Sequence, residues 1–344
     1  MNTQPFLQLA CPLDGKPLRS DGASWRCSAG HCYDIARQGY THLLPVQNMA
    51  SRNPGDSKEM IESRQRFLGG GFYAPIAAAV AKAVLDGLPS EANLLDAGCG
   101  EGYYLRQLAA SLGKKQSLQV IGLDISKPAV LSAAKQDKGS TWVVGSNANL
   151  PVLTGTLDRV ICMFGFPTYA EFARVLKNGG ELLMVEAGPD HLRELREIIY
   201  PTVKPDKAEK SEAEKTPEGF TAGATESLQF QFELNSAEEI SDLLSMTPHL
   251  FRAGAEGKAK VAALESLSLT ADVRLLRFEV IERVIEPVVD IVVEPIVKTI
   301  AEPVLKKEDT GAAEAAEEIE ETKATEPTEP TKGTFDWQTR RPRQ

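Results

Sequence analysis

The chain has 344 residues, enough for one large domain with smaller attachments, and it lacks both an apolar run of about 18 residues and a secretory signal. Its five cysteines are too sparse for a disulfide framework, which favours a reducing cytoplasm. The formal net charge of -10 argues against a nucleic-acid partner, but residues 281–344 carry much of it, with nine Lys/Arg against fifteen Asp/Glu, so such a partner is not excluded.

Residues 1–50 form a first, turn-rich region with the spacing of a small zinc ribbon. Cys11 and Asp14 are followed by Cys27 and His31, with one ligand pair on each of two turns. Asp14 stands where a second cysteine is expected, but a carboxylate oxygen can also ligate zinc, so the four residues are predicted to form a tetrahedral site. Cys32 is a substitute ligand. The alternative is a metal-free module held by apolar contacts of Trp25, Tyr33 and Ile35.

Residues 51–283 alternate apolar strands with helical patterns, which predicts a parallel, doubly wound sheet covered by helices, an α/β fold. Strands are predicted at 93–96, 118–124, 141–145, 158–164, 181–186 and 273–281. Helices are predicted at 75–88, 128–136, 168–176, 191–199 and 237–245. The stretch 202–225 is rich in Lys, Glu and Pro and is predicted to be a loop.

A glycine-rich loop follows the first strand of this region. Asp96 precedes Gly98, Gly100, Glu101 and Gly102, and a helical pattern begins directly afterwards. Glycines let the backbone turn tightly and approach a ligand closely, and the free amides of a helix start face that ligand. The spacing suits S-adenosylmethionine, since Asp96 can accept from its ammonium and the amides can face its carboxylate.

Two further strand ends complete a predicted cofactor site. Asp124 ends the second strand, where a carboxylate can accept from both ribose hydroxyls. The third strand runs into Ser146 and Asn147, which are in position to reach an adenine edge. The glycine loop alone would be weak evidence, because a plain tight turn looks the same. The three signals in order favour S-adenosylmethionine over any other cofactor.

The third region, residues 284–344, is predicted to be a largely disordered tail. Glu-Pro pairs recur at 286, 294 and 302, and an Ala/Glu/Thr/Pro segment follows. Prolines at that interval interrupt helices, and the Glu-rich part has few groups to bury.

Several segments together resemble the 23S ribosomal RNA (guanine-N1)-methyltransferases, the RlmA/RrmA family. The resemblance covers roughly residues 9–280. The most specific segments are Leu43-Leu44-Pro45-Val46-Gln47 and Asn53-Pro54-Gly55-Asp56-Ser57, which are not generic methyltransferase motifs. Further matches are Arg64, Arg66-Phe67-Leu68, Tyr73, 96–104, 122–127, 188–192 and 246–248.

The resemblance implies a class I, Rossmann-like methyltransferase domain with an N-terminal zinc-binding domain, acting as a homodimer on a hairpin of 23S rRNA. It also implies that Tyr73 and His191 contact S-adenosylmethionine. The alternative for His191 is a helix N-terminal residue. Phe164 and Phe166 lie in a stretch that departs from the family pattern and should border the target base, although core packing would also explain them. No catalytic base is identified.

Basic residues of the N-terminal module are candidates for phosphate contacts, namely Lys16, Arg19, Arg26, Arg37 and Arg52. Each of them alone is also explained as a solvated surface charge. Two other functions stay open: a methyltransferase of a small molecule, and a non-catalytic RNA-binding or assembly protein. The N-terminal module disfavours the first, and the intact glycine loop with Asp124 disfavours the second.

Overall fold

A nine-stranded sheet organises the part of the chain that the computed structural model describes, residues 3–49, 51–200 and 216–282. The strands are β1 (Thr3–Pro5), β5 (Tyr40–His42), β6 (Glu91–Ala97), β7 (Ser117–Asp124), β8 (Thr141–Val144), β9 (Leu157–Met163), β10 (Leu176–Ala187), β11 (Phe220–Leu234) and β12 (Leu267–Val280). Their order is β11-β12-β10-β9-β6-β7-β8-β5, and β1 pairs with β7 beside this path.

The sheet is doubly wound. From β6 the chain proceeds to β7 and β8 on one side, and later to β9 and β10 on the other, all parallel to one another. Only at the far edge is the direction reversed, where β12 runs antiparallel to both β10 and β11. The predicted α/β sheet is thus confirmed, and the strand order changes direction between β6 and β9, where open α/β sheets bind ligands.

Most of the described helices lie between strands of the sheet, and three of them begin at a serine cap. They are α1 (Lys58–Gly69), α2 (Ala74–Leu85), α3 (Tyr103–Ala110), α4 (Lys127–Gln136), α5 (Tyr169–Val175), α6 (Arg193–Ile199), α7 (Ala237–Ser245), α8 (His249–Arg252) and α9 (Ala255–Ala262), with a 3-10 turn at Val46–Asn48. Ser57, Ser126 and Ser236 cap α1, α4 and α7 by accepting from a backbone amide of the first turn.

No single helix in the described segments is long and apolar enough to cross a membrane. Helices α1 and α2 meet that test of length and composition only as a pair, across a bend of 87°.

The two faces of the sheet carry separate apolar cores. Leu94 and Leu95, neighbours on β6, point to opposite faces, and both are fully buried. The core around Leu94 also contains residues of α1 to α4, α6 and α7. The core around Leu95 contains α5 and, instead of further helices, Leu18 and Trp25 of the N-terminal module. That module therefore covers part of the second face of the sheet.

The N-terminal module is tied into the sheet on both sides. A small antiparallel sheet joins β2 (Arg19–Ser20), β3 (Ser24–Arg26) and β4 (Cys32–Asp34). The flanking strands β1 and β5 belong to the large sheet, where they pair with β7 and β8. The division into 1–50, 51–283 and 284–344 stays a prediction, and residues 283–344 lie outside the described residues.

Part of the predicted loop at 202–225 is wrong, because Phe220–Leu234 forms the edge strand β11. Residues 201–215 lie outside the described residues. From Thr221 to Ser227 the side chains are exposed, so this part of β11 carries no apolar alternation that a sequence pattern could reveal. Its pairing with β12 rests on backbone hydrogen bonds, which composition does not report.

The side chain of Trp142 packs between Gly122 of β7 and Gly102 of the glycine loop, and so determines how closely the loop approaches this strand. Its fully buried ring occupies the space that side chains would need at Gly122 of β7 and Gly102 of the loop. A Cβ at Gly122 would lie 2.2 Å from Cζ3 of this ring, and one at Gly102 would lie 2.6 Å from Cη2. The indole N–H donates to the carbonyl of Asp137 at 2.9 Å, which fixes the ring orientation.

We predict that Gly122→Ala destabilises the protein by about 1–3 kcal/mol, because the methyl group overpacks a filled space. Urea unfolding followed by fluorescence measures this. Gly69→Ala is the matched control, since no atom lies within 4 Å of a Cβ built at Gly69. The control should change the free energy of unfolding by about 1 kcal/mol or less. Equal effects of the two substitutions would contradict the assigned role of Trp142.

Candidate functional site

A cavity of about 520 Å³ opens at the carboxyl ends of β6, β7 and β8. Its lining includes seven of the nine residues predicted to bind the cofactor, namely Tyr73, Asp96, Gly98, Gly100, Glu101, Asp124 and Asn147. Gly102 and His191 are not part of the lining. Phe164 and Phe166, predicted to face the substrate, also line it. The structure thus brings together residues that the sequence distributes over nearly 100 positions.

The glycine loop adopts a backbone that side chains would strain. Gly98, Gly100 and Gly102 have φ angles of 99°, 55° and 80°, in the left-handed region that favours glycine. Its amides are already largely engaged: those of Gly98 and Cys99 donate to the carbonyl of Leu123, and that of Gly102 donates to Cys99. The sequence predicts that amides of this loop donate to a ligand carboxylate. In the structure, fewer of these amides are free to do so than the sequence indicates.

Asp124 holds this loop against the next strand. One carboxylate oxygen accepts from the amide of Gly100 at 2.9 Å, and the other accepts from the amide of Ser126 at 2.8 Å. Burial raises the pKa of Asp124, while these two hydrogen bonds oppose the rise. Each oxygen retains a lone pair for a ligand hydroxyl.

Asp96 is a buried carboxyl group with an unsatisfied oxygen. Its side chain is 1% exposed, and Oδ1 has no hydrogen-bond partner in the described part of the chain. Burial, together with the negative charge of Asp124, raises the pKa of Asp96 to about 7. A cation placed in the cavity would satisfy this oxygen and stabilise the ionised form.

One carboxylate oxygen of Glu101 already has partners within the protein. Its Oε2 pairs with Arg106 at 2.7 Å and accepts from the side-chain amide of Gln136 at 3.0 Å. The other oxygen, Oε1, is buried and has no partner among the described residues.

Tyr73 and His191 form a hydrogen-bonded pair beside the cavity. The amide of Asp272 donates to Nδ1 of His191 at 3.2 Å, so Nε2 carries the proton and donates to the Tyr73 hydroxyl at 3.3 Å. Burial lowers the pKa of His191 to about 4, which keeps the ring neutral. His191 also stacks on Phe164 with ring centroids 5.8 Å apart. The cavity lining contains Tyr73 and Phe164, and His191 lies behind them.

The outer wall of the cavity is aromatic and exposed. The side chain of Phe164 is 44% exposed and that of Phe166 is 91% exposed. Asn147 donates from Nδ2 to the carbonyl of Phe166 at 3.3 Å, and its Oδ1 is buried without a partner in the described segments. Exposure of this degree excludes core packing as the explanation for Phe166.

The sequence analysis gave no site role to several lining residues, namely Asp56, Arg64, Leu68, Tyr104, Met163, Thr168, Met246 and Pro248. Six of these eight, all except Met163 and Thr168, lie in segments that carry the family resemblance, which did not indicate where they lie in the fold. Ser126 Oγ donates to the carbonyl of Asp56 at 2.7 Å, which holds the Asn53-to-Ser57 segment over the cavity.

Cys11, Asp14, Cys27 and His31 come together at one point of the N-terminal module, with their ligand atoms all within 4.8 Å of one another. Nδ1 of His31 lies 3.4 Å from each sulfur, and 3.3 Å from Oδ2 of Asp14. Oδ2 also lies 3.5 Å from the Cys27 sulfur. A zinc tetrahedron has edges of about 3.3–3.6 Å between such atoms, so the four donors fit zinc. Cys32 is exposed and lies outside the cluster.

The predicted phosphate contacts are all exposed. Arg19 and Arg26 lie opposite each other on β2 and β3, and Arg37 lies in the turn before β5. Asp21 pairs with Arg26 at 2.9 Å. Hydrogen bonds from Ser24 and Arg26 lower the pKa of Asp21 to about 2. Asp21 therefore offsets the charge of Arg26, which leaves Arg19 and Arg37 as the better candidates for phosphate contacts.

We predict about one zinc ion per chain in protein purified without chelator. The four donor atoms lie within 4.8 Å of one another, and four of their six distances match a zinc tetrahedron. Elemental analysis measures this. Asp14→Ala should lose the metal faster to a chelator, whereas Cys32→Ser, outside the cluster, should retain it like the unmodified protein. A stoichiometry near zero would contradict the site.

We predict that Asp96→Asn stabilises the ligand-free protein above neutral pH. Because the folded-state pKa of Asp96 is raised to about 7, stability falls as pH rises from about 4 to about 7 and stays lower above it. The variant should gain up to about 4 kcal/mol at about pH 8.5, and about 2–3 kcal/mol less at about pH 5. Urea unfolding at both pH values measures the difference. Asp34→Asn, which removes an exposed carboxylate of β4, is the control and should change the free energy of unfolding by about 0.5 kcal/mol or less.

Comparison with known proteins agrees with this geometry. Residues 9–52 match the zinc-ribbon family described as RlmA, N-terminal, and residues 94–180 match a methyltransferase domain family. A protein of Bacillus subtilis named as a 23S rRNA (guanine-N1)-methyltransferase, YxjB, is 32% identical over 80% of this chain and 98% of its own length. The 23S rRNA (guanine(748)-N1)-methyltransferase of Streptomyces fradiae is 31% identical over 70% of this chain and 84% of its own length. The chain therefore belongs to the family of 23S rRNA (guanine-N1)-methyltransferases.

Proposed function

We propose that the protein transfers a methyl group from S-adenosylmethionine to N1 of a guanine in a hairpin of 23S rRNA. The observation that carries this proposal is that one chain combines an RlmA-type zinc ribbon with a methyltransferase domain. The chain also matches the Bacillus subtilis relative over 98% of that relative's length. The exposed aromatic wall and the exposed arginines of the module support an RNA substrate.

The cavity residues fit S-adenosylmethionine. The unsatisfied oxygen of Asp96 suits its ammonium, Asp124 suits its ribose hydroxyls, and the unsatisfied Oδ1 of Asn147 suits its adenine amino group. Tyr73, oriented by neutral His191, closes the inner wall. When bound, the cofactor supplies an electrophilic methyl group on its sulfonium.

The chain's own contribution is chiefly orientation, since the acceptor nitrogen must approach in line with the bond that breaks. Guanine N1 is inaccessible in a paired helix, so the base must come from a loop or leave its stack. The exposed rings of Phe164 and Phe166 at the mouth of the cavity are suited to stack on such a base. His191, neutral and hydrogen-bonded on both nitrogens, is assigned no role as a base.

The N-terminal module is proposed to guide the RNA. Arg19, Arg26 and Arg37 would contact phosphates, and the zinc cluster would hold the turns that carry them. A homodimer, as the resemblance implies, and a cytoplasmic location stay predictions.

We predict that the protein methylates N1 of one guanine when incubated with labelled S-adenosylmethionine and 23S rRNA from a strain lacking the enzyme. Mapping of the labelled nucleotide tests this. Label at no guanine of the rRNA would overturn the proposal, and label on a small molecule instead would favour the other enzymatic function.

The same assay tests the aromatic wall. Phe166→Ala should lower kcat/KM for RNA about 5- to 100-fold, the worth of one stacked base, and leave cofactor affinity unchanged. Leu7→Ala is the control, because Leu7 is 57% exposed and lies outside the cavity lining.

A further inference from the structure

Negatively charged side chains outnumber positively charged ones in the lining of the cavity. Its lining contains four carboxylates, those of Asp56, Asp96, Glu101 and Asp124. Among the described lining residues, Arg64 is the single cation. S-adenosylmethionine carries two positive centres, the ammonium and the sulfonium, and one carboxylate. The carboxylates of the lining suit the positive centres, and the ligand's own carboxylate needs a donor that they do not supply.

The glycine loop offers little to that carboxylate. Of the five amides from Gly98 to Gly102, four already donate to Leu123, Asp124 or Cys99. A helix-start amide could still contribute, but the loop amides that the sequence pointed to are engaged. The remaining source of positive charge in the described lining is the guanidinium of Arg64.

Arg64 is placed and oriented for this contact. It lies on the buried face of α1, one turn from Ile61 and Leu68, with its side chain 26% exposed. Nη2 donates to Oδ2 of Asp56 at 2.7 Å, and Nε is buried with no partner in the part of the chain that the structure describes. A Cβ at Gly100 would lie 3.7 Å from Cδ of Arg64, so the side chain passes directly over the glycine loop.

Burying a guanidinium with an unsatisfied nitrogen is unfavourable unless a ligand completes its hydrogen bonds. Asp56 accepts from one nitrogen and leaves the rest of the planar fork available, which matches a second carboxylate. Asp56 is in turn held by Ser126, through the hydrogen bond from Ser126 Oγ to its carbonyl. Asp56 therefore acts as a positioning residue for Arg64.

We propose that Arg64 binds the carboxylate of the methionine moiety of S-adenosylmethionine. The assignment rests on the proposed cofactor. It adds a binding residue from α1, outside the glycine loop and the strand ends.

The test compares two ligands that differ only in this carboxylate, S-adenosylmethionine and decarboxylated S-adenosylmethionine. Calorimetry gives their Kd values for the unmodified protein, Arg64→Gln and Arg64→Lys. Arg64→Gln should weaken S-adenosylmethionine binding about 10- to 100-fold, the worth of a charge-assisted hydrogen bond. The Kd of this variant for decarboxylated S-adenosylmethionine should be unchanged or lower, because the variant lacks the guanidinium that repels the two positive centres of the ligand. Arg64→Lys keeps the charge without the fork and should lose less.

Arg66→Gln is the matched control. It lies on the same helix, but its guanidinium pairs with Asp242 at 2.6 Å, outside the cofactor cavity, so neither Kd should change. Equal losses for both ligands in Arg64→Gln and Arg64→Lys would mean a structural role and overturn the assignment, as would an unchanged Kd for S-adenosylmethionine. If the unmodified protein binds neither ligand, the proposed cofactor itself fails, which is a distinct result.

Discussion

The packing of Trp142 against two positions without side chains is the constraint on which the site depends. Because Gly102 and Gly122 leave room for the indole, the glycine loop lies close to the end of β7. In that position the amide of Gly100 reaches the carboxylate of Asp124. A loop raised by one methyl group would lose the hydrogen bond to Asp124 and with it the shape of the cavity.

Two carboxyl groups, those of Asp96 and Glu101, are buried at the glycine loop. Asp96 and Glu101 are each 1% exposed, and each has one oxygen without a partner in the described residues. Burial, together with the negative charge of Asp124, raises the pKa of Asp96 to about 7, so the ionised carboxylate destabilises the ligand-free protein. The same groups favour a cationic ligand, so the instability of the empty cavity and its affinity for a sulfonium cofactor have one physical origin. Arg64, held by Asp56, places the complementary positive charge directly beside the glycine loop.

The N-terminal module is connected to this cavity rather than appended to it. Strands β1 and β5 bring its two ends into the large sheet, and its apolar residues share a core with α5. Asn149 donates to the carbonyl of Pro12, beside the proposed zinc ligand Cys11, at 3.0 Å. Two residues earlier in the same loop, Asn147 faces the cavity. One loop therefore contacts both the metal turn and the adenine side of the proposed cofactor site.

The sequence by itself determined the local features, because these depend on neighbouring residues. The strand before Asp96, the tight turn of the glycine loop and the spacing of Cys11, Asp14, Cys27 and His31 all follow from residue type and short-range order. The strand-end position of Asp124 followed as well, since parallel strands end at a common edge.

Only the tertiary structure decided which distant groups meet. The position of Arg64 above Gly100, the amide of Asp272 that sets the tautomer of His191, and the pairing of β11 with β12 are contacts between segments far apart in the chain. An arginine on a helix gives no sign in sequence of whether it faces water or a cavity. Burial decides that, and burial is a property of the folded chain as a whole.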